Sequence, residues 1–313
     1  MKKVLITGGF GFVGSHLVRH LRAQGLEVAV MEHPAAVAPK DIADVQVLRA
    51  DLTDETALAA VPVAGVDAVL HLGAQSSGPR SFFIPVVDVK LNVLGTLNVV
   101  NWCLANNVDR LLFASSFVIY GDHADRAALD ESTPCRPKSV YAGSKLAAEH
   151  LLVNYAQPKG IRWNALRMFN VYGAGQDITK PDQGVVGIFM NMLRQTSSVQ
   201  VKGRLDRVRD FINIEDVVRG WDKCLHGAAY NQSFNLGTGE KTTFEGLIRA
   251  IANVMHKGDS VRIDELPGTP GDIQGCIADL TRIRKELGYA PTVTLAEGLN
   301  TMWRWVEKTM RDS

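Results

Sequence analysis

The first fourteen residues limit what this chain can fold into more than any other stretch. Val4-Leu5-Ile6 is a short apolar run that breaks at once into Gly8-Gly9-Phe10-Gly11-Phe12-Val13-Gly14. Such a run reads as a strand buried in a parallel sheet. From Ser15 to Gln24, Leu17, Val18 and Leu21 recur at helical spacing. A strand, a glycine-rich turn and a helix suit a pyrophosphate, because glycines let backbone approach the phosphates. The helix N-terminus adds free N–H groups with a partial positive charge. The spacing is Gly8-x-x-Gly11-x-x-Gly14, not the G-x-G-x-x-G of the common dehydrogenase fingerprint. A tight turn without a ligand is the alternative. The strand–turn–helix context at the N-terminus favours a dinucleotide, with Gly8, Gly11, Phe12, Val13 and Gly14 as candidate contacts.

Glu27 to Met31 reads as a second strand, closed by Glu32. An acidic residue about 20 positions beyond the glycines can accept hydrogen bonds from the adenosine ribose hydroxyls. It would repel a 2′-phosphate, and His33, Pro34, Ala35 and Ala36 offer no arginine or lysine to welcome one. NAD is therefore favoured over NADP; a solvated loop carboxylate is the other reading of Glu32. Val45 to Arg49 and Val66 to Leu72 are further strand candidates. Ligands on open parallel sheets bind beyond the C-terminal strand ends. That places Asp51 and Leu52 near the adenine, and the stretch containing Leu72, Ala74 and Ser76 near the middle of the cofactor. His71 reads as a packed residue. Val89 to Ala105 carries the helical stripe Leu91, Leu94, Leu97, Val100 and Leu104, interrupted by Asn92, whose side chain could reach back to the sheet.

Arg110 to Ala114 is the next buried strand, ending in Ser115-Ser116. Beyond a proline-containing loop, Tyr141 and Lys145 stand four positions apart at the start of a helix beginning near Ser139. Residues i and i+4 share a helix face. A phenol titrates near ~10 in water, and a neighbouring ammonium favours its phenolate. The pair is thus a candidate proton-transfer device, and Ser116 is placed to bind the oxygen on which Tyr141 acts. Alone, a Tyr-x-x-x-Lys match is weak and Ser116 would pass for a loop cap.

Hydrophobic residues make up 46% of the 313 and charged residues 21%, which suits a globular protein with a full core. A net charge of +1 recruits neither nucleic acid nor an anionic membrane. Cys103, Cys135, Cys224 and Cys276 are scattered without a C-x-x-C pair, so neither a metal site nor a disulfide framework is expected, and a reduced cytoplasmic setting fits. No apolar run reaches the ~18 residues of a membrane span, and glycines cut the N-terminal run too early for a signal peptide.

These motifs agree in order. The glycine turn, Asp51-Leu52, His71-Leu72-Gly73-Ala74, Asn92-Val93-Leu94-Gly95-Thr96, Ser115-Ser116 with Tyr120-Gly121, and Tyr141-x-x-x-Lys145 are followed by Leu166-Arg167-Met168-Phe169-Asn170-Val171-Tyr172-Gly173. Arg209-Asp210-Phe211-Ile212, Asn235-Leu236-Gly237-Thr238-Gly239 and Pro270-Gly271-Asp272 complete the set. Over nearly its whole length the sequence resembles the extended short-chain dehydrogenase/reductases. It is most similar to the nucleotide-sugar epimerase/dehydratase branch, and within it to the UDP-sugar 4-epimerases. The resemblance implies an α/β fold: a Rossmann-type doubly wound parallel sheet with a smaller α/β C-terminal substrate domain. Expected boundaries are 1–172 for the NAD-binding domain, with a return segment near 210–236, and 173–209 with 237–313 for the substrate domain. It also implies a tightly held NAD, with Asn92 and Phe169 among its contacts, and a nucleotide-diphosphate sugar as substrate. Tyr141 would be the acid/base and Lys145 would bind the nicotinamide ribose and lower the tyrosine pKa. Ser116 would hold the sugar hydroxyl, and Ser76, Asn170 and Arg209 would contact the substrate. A homodimer through the helices 92–105 and 141–154 is the family form.

The residues after Ser116 bear on the reaction. Dehydratases of the branch place an Asp-Glu pair there and the decarboxylases a glutamate; this chain has Phe117 and Val118. That leaves a 4-epimerase of the UDP-glucose/galactose or UDP-uronate type, acting by transient oxidation at C4. The alternative is an NAD(P)H-dependent reductase of a 4-keto sugar. Thr269 stands where many relatives carry a diphosphate-binding arginine, so Arg204 or Arg207 is a candidate substitute. Arg80 is a candidate for a sugar carboxylate. Trp303 and Trp305, in a terminal helix from Leu295 to Met310, read as packing or interface anchors.

Overall fold

The N-terminal apolar run is buried on both sides. Val4 and Ile6 pack into one apolar cluster and Leu5 into another, because successive strand side chains point to opposite faces. A sheet with helices on both faces requires this. The computed structural model describes residues 1–61, 63–123, 127–182, 184–269 and 271–311. Its strands are β1 (Lys3–Thr7), β2 (Glu27–Glu32), β3 (Gln46–Arg49), β4 (Ala68–His71), β5 (Arg110–Ser116), β6 (Arg162–Met168), β7 (Asn170–Tyr172), β8 (Ser198–Lys202), β9 (Val208–Arg209), β10 (Phe211–Asn213), β11 (Gln232–Leu236), β12 (Thr242–Thr243), β13 (Arg262–Leu266) and β14 (Gly275–Cys276). Its α-helices are α1 (Phe12–Ala23), α2 (Glu55–Ala59), α3 (Gly78–Ser81), α4 (Pro85–Asp88), α5 (Gly95–Ala105), α6 (Val140–Leu151), α7 (Val185–Gln195), α8 (Ile214–His226), α9 (Phe244–Val254), α10 (Thr281–Leu287) and α11 (Leu295–Arg311).

Seven strands pair in parallel in the order β3-β2-β1-β4-β5-β6-β11. This is a doubly wound Rossmann-type sheet. Helices α1 and α8 cover one face, through Leu17, Leu21, Val217 and Trp221. Helices α2, α5 and α6 cover the other, through Leu58, Val99, Trp102 and Ala148. Register brings the C-terminal ends of β1, β4, β5 and β6 into line: Thr7 pairs with His71 and Ser116 with Met168. Loops carrying Gly8, Leu72, Ser116 and Phe169 therefore leave the same edge, where such sheets bind ligands. A third apolar cluster, built from α7, β8, α9 and α11, includes Phe189, Val199, Leu247, Ile251 and Met302.

Two expected elements differ in form. Helix α1 begins at Phe12, so Phe12, Val13 and Gly14 are its first turn. The single helix expected over 89–105 is a wide π-helical turn, Val89–Leu94, followed by α5. At the junction the Gly95 N–H reaches back five residues to the Lys90 carbonyl, and the Thr96 hydroxyl donates to the Asn92 carbonyl (2.6 Å). Apolar periodicity cannot separate this turn from regular helix, since the stripe passes through both. Among the described residues no helix is long and apolar enough to cross a membrane, and no group of His, Cys, Asp or Glu could hold a metal ion. All four cysteines are free.

A buried polar network ties α6 to the sheet. The Glu149 carboxylate accepts from the Arg167 guanidinium at 3.0 and 2.7 Å and from the Ser115 hydroxyl at 2.5 Å. Arg167 also donates to the Tyr120 hydroxyl (2.9 Å), which donates to Asn235 on β11 (2.6 Å). The network spans β5, β6, β11 and α6, directly behind Ser116 and two helical turns from Tyr141.

Candidate active site

A cleft of about 1740 Å³ runs along the C-terminal edge of the sheet and on toward the third cluster. Single drug-sized ligands fill pockets of ~300–1,000 Å³, so this volume accommodates a dinucleotide and a second ligand together.

At one end lies the glycine turn. Gly11 caps α1 without any side-chain hydrogen bond, which leaves the first-turn N–H groups of Phe12, Val13 and Gly14 to face a ligand. Gly8 has φ +69°, and a Cβ there would stand 2.7 Å from the Gly73 nitrogen. A Cβ on Gly14 would stand 2.7 Å from the Gly9 Cα and closer still to the Gly8 carbonyl. Gly14→Ala is therefore expected to lower stability by about 1–3 kcal/mol, the usual cost of overpacking, and to weaken NAD binding. Thermal melts with and without NAD check both effects.

Glu32 accepts the Phe10 N–H (2.6 Å) and so braces the turn, while burial pushes its carboxyl above the usual range. The cation missing from residues 33–36 is present on the neighbouring strand: Arg49 lies over the Phe10 ring at 5.7 Å and its charge acts on Glu32. Sequence spacing could not reveal it, because β3 meets β2 only through the sheet. Asp51 accepts the Thr53 N–H and hydroxyl (2.9 Å each), which hold its carboxyl below the usual range. Glu32, Asp51, Leu52, Leu72 and Ala74 all line the cleft.

Behind the middle of the cleft the polar groups form a directed chain. The Thr96 hydroxyl donates to the Asn92 carbonyl, so it accepts from His71 Nε2 (3.0 Å). Nδ1 of His71 then accepts from the Thr7 hydroxyl (2.7 Å), which in turn accepts the Gly73 N–H (3.0 Å). Burial pulls His71 down to about 3, so it is a neutral spacer, as a packed residue should be. Asn92 is the one cofactor candidate that does not line the cleft. Both ends of its amide are engaged: Oδ1 accepts the Gln75 N–H (2.9 Å), and Nδ2 donates to the Gln75 carbonyl (3.1 Å) and the Ser144 hydroxyl (2.9 Å). It holds the loop after β4 to α6.

Ser116, Tyr141 and Lys145 converge on the cleft wall. Ser139 caps α6 by accepting the Ala142 N–H (3.1 Å), which sets the first turn and presents Tyr141 and Lys145 on one face. The Ser116 side chain faces the Tyr141 phenol and favours its ionised form. Tyr141 and Lys145 are only 9% and 3% exposed. Burial pushes the phenol up to about 12, opposed by the Ser116 hydrogen bond, and the Asp88 charge adds to the rise. Burial pulls the Lys145 ammonium down to about 7 against the charges of Asp88 and Glu149. In the protein alone lost hydration dominates both groups, raising the phenol and lowering the ammonium.

At the far end, Asn170 donates to the Asp210 carbonyl (2.9 Å) and Arg209 lies 5.4 Å from the Phe244 ring centroid. Burial pulls Arg209 down to about 10, opposed by Asp272 at 3.5 Å. Arg207 is paired to the same Asp272 and stacks on Phe244 at 4.3 Å. Ser76, Asn170, Lys202, Arg207, Arg209 and Thr269 line the cleft. Arg204 does not; it is exposed and pairs with Asp206. Arg80 is exposed and also lies outside the lining, next to Pro79, which is part of it. Trp303 and Trp305 both pack on the third cluster, as anchors do, and Trp305 also lines the cleft. The helical stripe alone could not signal this, since both tryptophans flank the buried face of α11. Phe117 stacks on Phe169 (5.3 Å, 19°), forming an aromatic wall beside Ser116. Pro270, of the expected Pro270-Gly271-Asp272 motif, lies outside the described residues.

A model of the NAD-dependent epimerase/dehydratase family matches residues 4–237. The UDP-glucose 4-epimerase of Mycolicibacterium smegmatis is 30% identical over 95% of this chain and 96% of its own. The crystal structure of the Thermus thermophilus UDP-glucose 4-epimerase complex with NAD superposes with a TM-score of 0.88 at 34% identity, covering 97% of this chain and 99% of that one. The Thermotoga maritima UDP-glucose 4-epimerase with UDP-glucose gives 0.90 at 29% identity, covering 98% and 99%. The glycine turn at the head of α1, the Ser116–Tyr141–Lys145 group and these matches agree: the chain is an NAD-dependent enzyme of the extended short-chain dehydrogenase/reductases and belongs to the NAD-dependent epimerase/dehydratase family.

Proposed function

We propose that the protein is a nucleotide-sugar 4-epimerase acting on a UDP-hexose or UDP-uronate. The observation that carries this reading is the convergence of Ser116, Tyr141 and Lys145 on a cleft wall that continues as Phe117 and Val118. Inverting one carbon by oxidation and re-reduction needs a single acid/base and no further carboxylate beside it. NAD, when bound, supplies reversible hydride acceptance, and its oxidised ring brings a positive charge toward the phenol. That charge favours the phenolate which burial disfavours.

Tyr141 then takes the C4 hydroxyl proton and later returns it to the inverted hydroxyl. Ser116 holds the same oxygen through both halves. Lys145 binds the nicotinamide ribose, and the first turn of α1 holds the pyrophosphate. Arg209 receives the substrate diphosphate, with Arg207 in support where Thr269 offers no charge. Between the two halves the 4-keto sugar turns over against the Phe117–Phe169 wall. The expected domain division, 1–172 with a return near 210–236 against 173–209 with 237–313, would place the cofactor on the first and the nucleotide on the second.

The test is a ¹H NMR time course on UDP-, GDP-, dTDP- and CDP-sugars without added cofactor. A C4-inverted sugar is expected with a UDP-sugar. No inverted product from any member of the panel would exclude the reading. Stoichiometric consumption of NAD(P)H would establish the keto-reductase instead.

Glu32 offers a separate check. Glu32→Ser should shift the NAD/NADP affinity ratio toward NADP by at least about tenfold, or ~1.4 kcal/mol, because the repelling carboxylate is gone and Arg49 remains. Fluorescence titration with both cofactors reads the ratio, and an unchanged ratio would remove Glu32 from the ribose site. We also propose the homodimer of the family form. Val86, Val89 and Leu94 are exposed along α4 and the π-helical turn, and Val153 beyond α6. Light scattering should give twice the chain mass; a monomer at working concentration would contradict it.

A further inference from the structure

We propose that Asp88 is the counter-charge and positioning residue of Lys145: its buried carboxylate, fixed by Gln75 behind the cleft, favours the charged form of the lysine. Asp88 sits at the C-terminal end of α4, which packs against α6. It is 0% exposed and does not line the cleft, so it touches neither cofactor nor substrate. Its two oxygens accept the Gln75 side-chain N–H group at 2.9 Å each. Gln75 is itself held by the Asn92 amide and by its own contacts to the Ser77 backbone. Burial raises this carboxyl, and the Gln75 hydrogen bonds and the Lys145 charge oppose the rise; the carboxylate is thus held in place by a neutral partner.

Charge balance is the argument. The charged and titratable groups around Lys145 are Asp88 from α4, Tyr141 and Glu149 from its own helix, and His71 from β4. His71 is neutral, and the Tyr141 phenol is protonated in the protein alone. Glu149 is matched by the bidentate Arg167. Among the described residues, neither Lys145 nor Asp88 forms an ion pair within 4.0 Å. Asp88 is therefore, among these groups, the one negative charge without a cation of its own. With it, the buried set Lys145, Arg167, Glu149 and Asp88 is neutral; without it, the set carries one unmatched positive charge. An unmatched buried ammonium loses its proton. Lys145 lies 4.8 Å from the Phe113 ring centroid, a contact too weak to replace a full counter-charge. A deprotonated Lys145 would keep its shape but would donate less strongly to a ribose and stop favouring the phenolate.

The test reads Lys145 directly, in the full-length chain as purified, labelled with ¹³C at lysine Cε. The Lys145 resonance is identified by its absence from Lys145→Met. In Asp88→Asn the titration midpoint of Lys145 should fall by about 1 pH unit or more, the effect of removing a nearby opposite charge. Asp88→Glu should bring it back. An unchanged or raised midpoint in Asp88→Asn overturns the proposal. The reciprocal measurement does not need Asp88→Asn to fold: in Lys145→Met, the ¹³Cγ resonance of Asp88 should titrate at higher pH than in the parent chain. An unmoved Asp88 midpoint also overturns the proposal. The inference rests on the proposed function only for its consequence, an alkaline limb of the turnover profile that moves down with the Lys145 midpoint. The titrations need no turnover, so a failed epimerase assay and a failed counter-charge are told apart.

Discussion

Tyr141→Phe should lower epimerisation of a UDP-hexose by about 10²–10⁴-fold, the range for a positioned acid/base, with the fold and bound NAD retained. The substitution removes one oxygen and leaves the ring. That ring is 9% exposed and wedged at the head of α6, so packing is preserved. Ser116 loses one hydrogen-bond partner but stays on β5, held by its pairing with Met168. The helix keeps its Ser139 cap. What disappears is the hydroxyl that α6 presents to Ser116. Activity of the parent enzyme should itself depend on the cofactor's redox state, with reduced enzyme binding substrate but not oxidising it, because NADH cannot accept the C4 hydride. Stopped-assay turnover, circular dichroism and the NAD absorbance of the purified variant check the loss of activity, the fold and the cofactor. Near-parental turnover would remove Tyr141 from the chemistry.

Arg167→Met should cost about 3–5 kcal/mol of folding stability, the penalty for stranding a buried charge. The Glu149–Arg167 side chains are only 7% and 8% exposed, so solvent screens the pair little. With the guanidinium gone, Glu149 keeps the Ser115 hydroxyl at 2.5 Å and a longer contact to Ser233 at 3.4 Å, too little for a desolvated carboxylate. Tyr120 loses a donor as well. The double replacement Arg167→Met with Glu149→Leu should recover much of the loss, because replacing both partners by apolar groups avoids the unmatched charge. Urea denaturation of the single and double variants reads this directly. Equal stability of the two variants would show that the stranded Glu149 carboxylate carries no penalty.

The fold was legible because its signals are local. Val4-Leu5-Ile6 must alternate faces, Gly8 and Gly14 meet backbone that leaves no room for a Cβ, and Tyr141 with Lys145 needs only the pitch of one helix. Ser116 was legible as a strand end. The residues that escaped are those whose meaning is set by a neighbour far along the chain. Arg49 meets Glu32 across paired strands, and the charge of Asp88 acts on Lys145 from a packed helix. Arg204 and Arg207, three residues apart, differ only because the turn between them sends one to solvent and the other under Phe244. Asn92 shows a second role that its motif does not announce: its amide holds Gln75 in place. The raised phenol has the same origin, since pair chemistry can be read from spacing and burial cannot.

The most direct measurement of the central claim is the fate of a C4 label. UDP-glucose carrying deuterium at C4 is incubated with the enzyme and no added cofactor, and the product is read by ¹H NMR and mass spectrometry. Inversion by oxidation and return of the same hydride predicts a C4-inverted UDP-hexose that retains its deuterium. Inverted product with the label exchanged for protium, or unchanged substrate with label lost, would contradict it.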